Sequence, residues 1–224
     1  MRSMTLRTSH DEVLDATEHL PTGATLVIHD FDWDGYEQLL DALGDRSHFR
    51  VSYDSGRLEI LSPSSPHEQY ARLMDLIVFV FCEVHELKVK CLGQTTWRKK
   101  PRSKGLEADA CYYLKNEELI RGKRDINLES DPPPDIAVEI DLTRSSFRKQ
   151  SIYTALRIPE IWRYDGRSLR IYTLTKGQYT EIHESSFLPG LTDAMLTQVL
   201  EASATGETMD VLKAFRKRLQ ESGR

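Results

Sequence analysis

The run PPPDIAVEIDL at 132–142 restricts what this chain can become more than any other stretch. Three consecutive prolines can neither continue a helix nor donate to a sheet ladder, so a regular element begins only after them. The residues that follow favour a strand, with Ile136, Val138 and Ile140 on one face and Asp135, Ala137, Glu139 and Asp141 on the other. The apolar face calls for a core. The acidic face stands where a buried strand is expected to be apolar, and carboxylates that close repel unless a cation or a proton neutralises them.

A second run, LEADACYYL at 106–114, reads the same way, with Glu107, Asp109 and Cys111 sharing one face of a single strand. Each of these acids taken alone fits a solvated sheet face as well as a site. Two such strands side by side would bring several carboxylates together, and hard oxygen donors suit Mg²⁺ or Mn²⁺. Asp109 and Glu139 are therefore the candidate metal ligands.

Around these strands the pattern predicts a mixed α/β domain, a central mixed sheet flanked by helices. Residues 1–29 are expected to form an N-terminal arm that ends in a short apolar run. Tyr36, Leu39, Leu40 and Leu43 recur at helical spacing behind Asp32 or Asp34 as an N-cap. FRVSYDSGRLEILSPSSP reads as a hairpin turning at Asp54, Ser55 and Gly56. From 66 to 87, Leu73, Leu76, Ile77, Val80, Phe81, Val84 and Leu87 mark a core-facing helix, widened by Met74, Val78 and Phe79. A strand is expected around 89–98, and a helix capped by Ser145 or Ser146 follows the acidic strand. Asp165-Gly166 then joins two further strands, and DVLKAFRKRLQESGR closes the chain as a basic amphipathic helix. The expected division is a core domain over 30–185 and a C-terminal helical extension over 186–224 packed on it.

Charge and hydropathy remove several alternatives. With 39% hydrophobic and 29% charged residues the chain is no disordered segment, and its net charge of −5 excludes a globally basic nucleic-acid binder while permitting a local basic groove. No stretch approaches the roughly 18 consecutive apolar residues of a membrane span, and no signal-peptide core opens the sequence, so the expected location is the cytoplasm. Cys82, Cys91 and Cys111 form no C-x-x-C pair.

Four blocks in order, GRLEILSPSSPHEQYARLMDLI, GLEADACYYL, PPPDIAVEIDLTRSS and IYTALRIPEIWRYDG, resemble the Uma-type family of putative restriction endonucleases, a branch of the PD-(D/E)XK nuclease superfamily. The resemblance covers roughly residues 30–185 and implies a restriction-endonuclease-like α-β-β-β-α-β core, Mg²⁺ or Mn²⁺ as cofactor, and DNA as partner. It places the motif Asp at Asp109 and the second acid at Glu139, so the literal Pro134-Asp135 is not the motif pair. Where the superfamily pattern has lysine, this chain has Asp141. Lys149, four residues before Tyr153, is the candidate substitute, with a solvated lysine as the plain alternative. Glu68 on the first core helix is the matching acidic position, and an acid favourable to the helix dipole explains it equally. The neighbouring His67-Glu68 is no zinc-protease motif, since Ala71 stands where its second histidine belongs.

The expected activity is Mg²⁺-dependent hydrolysis of DNA by Asp109, Glu139, Lys149 and Glu68. Arg98, Lys99, Lys100, Arg102 and Lys104 could follow a phosphate backbone, and the hairpin EIWRYDGRSLRIYTL could supply a homodimer surface. The competing expectation is a nuclease-fold protein with little or no catalysis that binds nucleic acid or regulates, which Asp141 makes credible. A two-carboxylate glycosidase is a remote third.

Overall fold

The computed structural model describes residues 10–44, 48–142 and 149–222. The elements run α1 (His10–Glu18), β1 (Thr25–Ile28), α2 (Trp33–Leu43), β2 (Arg50–Asp54), β3 (Arg57–Leu61) and α3 (Ser65–Val84), then β4 (Lys90–Cys91) and β5 (Thr95–Lys99). After a short 3₁₀ turn come β6 (Lys104–Ala108), β7 (Ala110–Tyr113), α4 (Glu117–Ile120), β8 (Ile136–Ile140), α5 (Gln150–Leu156), β9 (Glu160–Tyr164), β10 (Leu169–Thr175), β11 (Gln178–Ile182), α6 (Asp193–Ser203) and α7 (Thr208–Ser222). The result is a mixed α/β architecture, as the alternating patterns predict. The helix caps expected at Ser145 or Ser146 lie outside the described residues.

Two sheets carry the fold. One has the order β1-β3-β2-β6-β5 and is antiparallel throughout; the other has the order β11-β10-β9-β8-β7-β4, with β8 and β9 parallel and the remaining pairs antiparallel. A parallel pair needs a crossover, and α5 supplies it between β8 and β9. The residues expected to form one strand over 106–114 therefore form two. The ladder to β2 ends at Leu106 and the ladder to β5 at Ala108, a new ladder to β8 begins at Ala110, and Asp109 is the residue between them.

The two faces of β8 sort by the period of two. Ile136, Val138 and Ile140 join Met74, Ile77, Val78 and Phe81 of α3, Leu196 and Leu200 of α6, and Leu212, Phe215 and Leu219 of α7 in one core. Ala137 on the opposite face joins Cys111, Tyr113, Ile152, Tyr153, Leu156 and Ile161 in a second core under α5. That core also contains Trp97, Leu106 and Ala108 of the first sheet, so α5 packs against both sheets at once. α3 buries a narrower stripe than its composition suggests: Leu76 and Phe79, read as core positions, are 41% and 45% exposed. They point away from the line through Ala71, Met74, Ile77, Val78 and Phe81.

The first sheet has its own core. Asp32 caps α2 by accepting from the Gly35 N–H at 2.7 Å. α2 then lays Tyr36 and Leu39 against Tyr53, Leu58 and Ile60, and α1, which the polar N-terminal residues did not reveal, adds Val13. The closest approach is at Gly105 of β6, where a Cβ would meet the Tyr36 hydroxyl oxygen at 2.3 Å. Tyr36 is fully buried and stacked on Tyr53 with ring centroids 4.9 Å apart, so it has nowhere to retreat. Gly105→Ala is expected to destabilise the fold by about 1–3 kcal/mol, the range for an overpacked core, measured as a lower midpoint in urea unfolding with an unchanged slope.

Candidate active site

Asp109 is fixed first by the backbone around it. Its N–H donates to the Val138 carbonyl at 3.1 Å, and the Ile140 N–H donates to its Oδ2 at 2.7 Å. Since Ala110 pairs with Val138, one further step of the antiparallel register sets Asp109 across from Glu139. The change of sheet at this residue thus brings the two acids together.

Two basic side chains hold the Asp109 carboxylate. Arg50 Nε donates to Oδ1 at 3.0 Å, and His67 Nε2 lies 3.3 Å from Oδ2. Burial acts to raise the carboxyl pKa, but the bond and charge of His67, with the charges of Lys149 and Arg50, outweigh it and hold Asp109 below the ordinary aspartate value. Burial likewise disfavours a charged His67, and the bond and charge of Asp109 reverse that and raise its pKa.

Glu139 is 2% exposed. Its Oε2 accepts from Lys149 Nζ at 2.8 Å and its Oε1 accepts from the Tyr153 hydroxyl. Burial pushes its pKa up to about 7; Lys149 pulls downward, while the nearby Asp109 and Asp141 push upward. For Lys149, burial favours the neutral amine, but Glu139 and Asp109 together raise its pKa above the ordinary lysine value. Lys149 is therefore a charged group facing both acids from the start of α5.

The structure brings Asp109, Glu139 and Lys149 to one place and sets Glu68 at its edge. The Glu68 side chain is 40% exposed and its Oε1 accepts from Arg50 Nη2 at 2.5 Å, so it reaches Asp109 through the guanidinium. The other acids grouped by strand alternation go elsewhere. Asp135 accepts from the Leu114 N–H at 2.7 Å, the Asn116 N–H at 3.3 Å and Asn116 Nδ2 at 3.1 Å, anchoring the turn after β7. Asp141 pairs with Arg163 on β9. Glu107 accepts from Thr96 Oγ1 at 2.8 Å and the Val51 N–H at 3.1 Å. Because the ladder breaks at Asp109, Glu107 and Asp109 share none of these partners, which corrects the expectation of one acidic strand face.

Sequence reasoning missed Arg50 and His67, and each left a signal. Arg50 lies in β2 between Phe49 and Val51, where all of residues 50–53 are buried, and a buried guanidinium needs acceptors. His67 sits four residues before Ala71 and seven before Met74, on the buried stripe of α3. The basic run before Asp109 forms the turn between β5 and β6, and part of it is neutralised: Lys104 pairs with Asp54, and Lys100 lies 3.5 Å from both Asp34 and Glu37. A cleft of about 810 Å³ along β5, lined in part by Gln94, Trp97, Arg98, Glu107 and Lys123, includes none of Asp109, Glu139, Lys149 or Glu68.

Among the described residues, no group of three or more His, Cys, Asp and Glu side chains is arranged to hold a metal ion. Two carboxylates still match Mg²⁺, which keeps several waters and takes one or two carboxylates. Asp109 Oδ1 and the two oxygens of Glu139 each accept one bond and keep a lone pair for a cation, whereas Asp109 Oδ2 already meets two donors.

Comparison with known proteins adds the following. The family model Uma2, described as putative restriction endonuclease, matches residues 33–205. Among solved structures, a putative nuclease from Anabaena variabilis is similar at 14% identity and a TM-score of 0.47, covering 67% of this chain and 90% of that one. No curated protein matches. Among the described residues, no helix is long and apolar enough to cross a membrane.

The partners of Asp135 make it a structural acid. Asp135→Ala is expected to cost about 1–3 kcal/mol in urea unfolding, because the Leu114 and Asn116 N–H groups lose their acceptor.

Proposed function

This chain belongs to the Uma2 family, described as putative restriction endonucleases, and on that premise we propose that it is a metal-dependent endonuclease that hydrolyses DNA phosphodiester bonds. The observation that carries the reading is the meeting of Asp109, Glu139 and Lys149: two buried acids from adjoining strands, with an ammonium 2.8 Å from Glu139.

Asp109 and Glu139 would hold Mg²⁺ or Mn²⁺, which when bound supplies Lewis-acid polarisation of the phosphodiester and a water of lowered pKa. The protein's own groups do the rest. Lys149, charged and buried, stabilises the negative charge that develops on phosphorus-bound oxygens in the transition state. Tyr153 holds Glu139 in place through its hydroxyl. Asp141, at the usual lysine position, is neutralised by Arg163, so the cation is delivered from α5 instead. Phosphate contacts outside the site fall to basic residues of the β5–β6 turn such as Lys99 and Arg102. Cutting both strands calls for a homodimer presenting one site to each.

Two observations favour a second reading, a protein that binds DNA without cutting it. Both oxygens of Glu139 and both of Asp109 already accept from protein donors, and Asp141 replaces the motif lysine.

Supercoiled plasmid incubated with the protein and Mg²⁺ or Mn²⁺ tests both. Nicking or linearisation is expected for the native chain and none for Asp109→Ala or Glu139→Ala. Lys149→Met is expected to lower kcat about 10²–10³-fold, as for loss of one charge-stabilising donor, with DNA affinity little changed. Retarded but intact plasmid would establish the second reading, and neither binding nor cutting would remove both.

A further inference from the structure

We infer that Arg50 is a positioning residue for Asp109 and that Glu68 serves the site through Arg50, not as a ligand of the metal. This rests on the reading of Asp109 and Glu139 as the metal-holding pair.

The Arg50 side chain is 3% exposed, and each of its three guanidinium nitrogens has an acceptor in a different part of the chain. Nε donates to Asp109 Oδ1 at 3.0 Å, Nη2 to Glu68 Oε1 at 2.5 Å and Nη1 to the His48 carbonyl at 3.0 Å. A planar fork with three bonds in fixed directions cannot pivot, and no lysine ammonium can make the same set. On the far side of the carboxylate, the Ile140 N–H and His67 Nε2 meet Oδ2. Asp109 is thus held at both oxygens, and the lone pair left on Oδ1 has a fixed aim.

Glu68 stands at the solvent end of this chain of bonds. Its Oε1 forms a short charge-assisted bond to the guanidinium, the strong class of hydrogen bond. The acidic position that the family resemblance places in the catalytic set instead supplies the counter-charge that keeps Arg50 in place. Arg50 comes from β2, in the other sheet from Glu139, so this contact ties the first sheet to the site.

Mn²⁺ titration by calorimetry, with the native chain, Arg50→Lys, Glu68→Ala and the double variant, separates the two roles of Glu68. Arg50→Lys keeps the charge and loses the fork. It is expected to weaken Mn²⁺ binding at least 10-fold, the effect typical of losing a partner that orients a metal ligand. Glu68→Ala alone is expected to weaken it less, and the double variant to match Arg50→Lys within about 3-fold, because residues that act through one another are not additive. An Arg50→Lys affinity within 2-fold of native, or a double variant whose loss is the product of the two single losses, would overturn the inference. If the native chain takes up no Mn²⁺, the metal reading itself fails. The inference is then decided by urea midpoints of the same four proteins, where non-additive shifts uphold the Glu68–Arg50–Asp109 linkage and additive shifts refute it.

Discussion

The hydrogen bond from the Ile140 N–H to the Asp109 carboxylate is the contact on which the site depends. It occurs because β6 and β7 belong to different sheets and a single residue separates them. At that residue the ladder to the first sheet has ended and the ladder to β8 has just begun. An N–H that would otherwise seek a strand carbonyl takes a side-chain oxygen instead. The acid is thereby fixed to the strand that carries Glu139, before any cation is involved.

Charge balance follows from that placement. Two carboxylates buried side by side in a low dielectric cannot both stay ionised without compensation. Arg50, His67 and Lys149 provide it, and they come from β2, the first turn of α3 and the start of α5. The division is uneven. Burial acts to raise both acids; at Asp109 the bond and charge of His67 with the charges of Lys149 and Arg50 outweigh it and hold the pKa below its ordinary value, while at Glu139 burial prevails over Lys149 and pushes the pKa up to about 7. Glu139 is the acid with less compensation from the protein.

Much of this arrangement was legible in the sequence. The alternation in 134–142 correctly sorted Ile136, Val138 and Ile140 from Glu139, because β8 is a central strand whose faces meet two different cores. The spacing of the helical residues located α2, α3 and α7, and the turn residues at 54–56 located the first hairpin. What failed did so for identifiable reasons. Alternation assumes one uninterrupted ladder, so it could not anticipate the change of sheet at Asp109 or the separation of Glu107 from it. It grouped Asp135 and Asp141 with Glu139, although their partners, the Leu114 and Asn116 amides and Arg163, are tertiary and invisible to a local pattern. Arg50 was missed because a charged residue in a strand is read as solvent-facing until its acceptors, 18 and 59 residues away in sequence, are known.

The position of α5 between the two sheets bears on how far this domain can be reduced. The helix carries Tyr153 against Glu139, begins directly after Lys149, and packs on Trp97, Leu106 and Ala108 of the first sheet as well as on Ala137 and Ile161 of the second. The first sheet is thus a wall of the site. A fragment starting at Glu68 would retain every acid and lysine that the motif names, yet it would lack β2, which supplies the guanidinium and pairs with β6, one of the strands that seat α5. In this chain the smallest unit that holds the cluster of Asp109, Glu139 and Lys149 together is larger than the span of its signature residues.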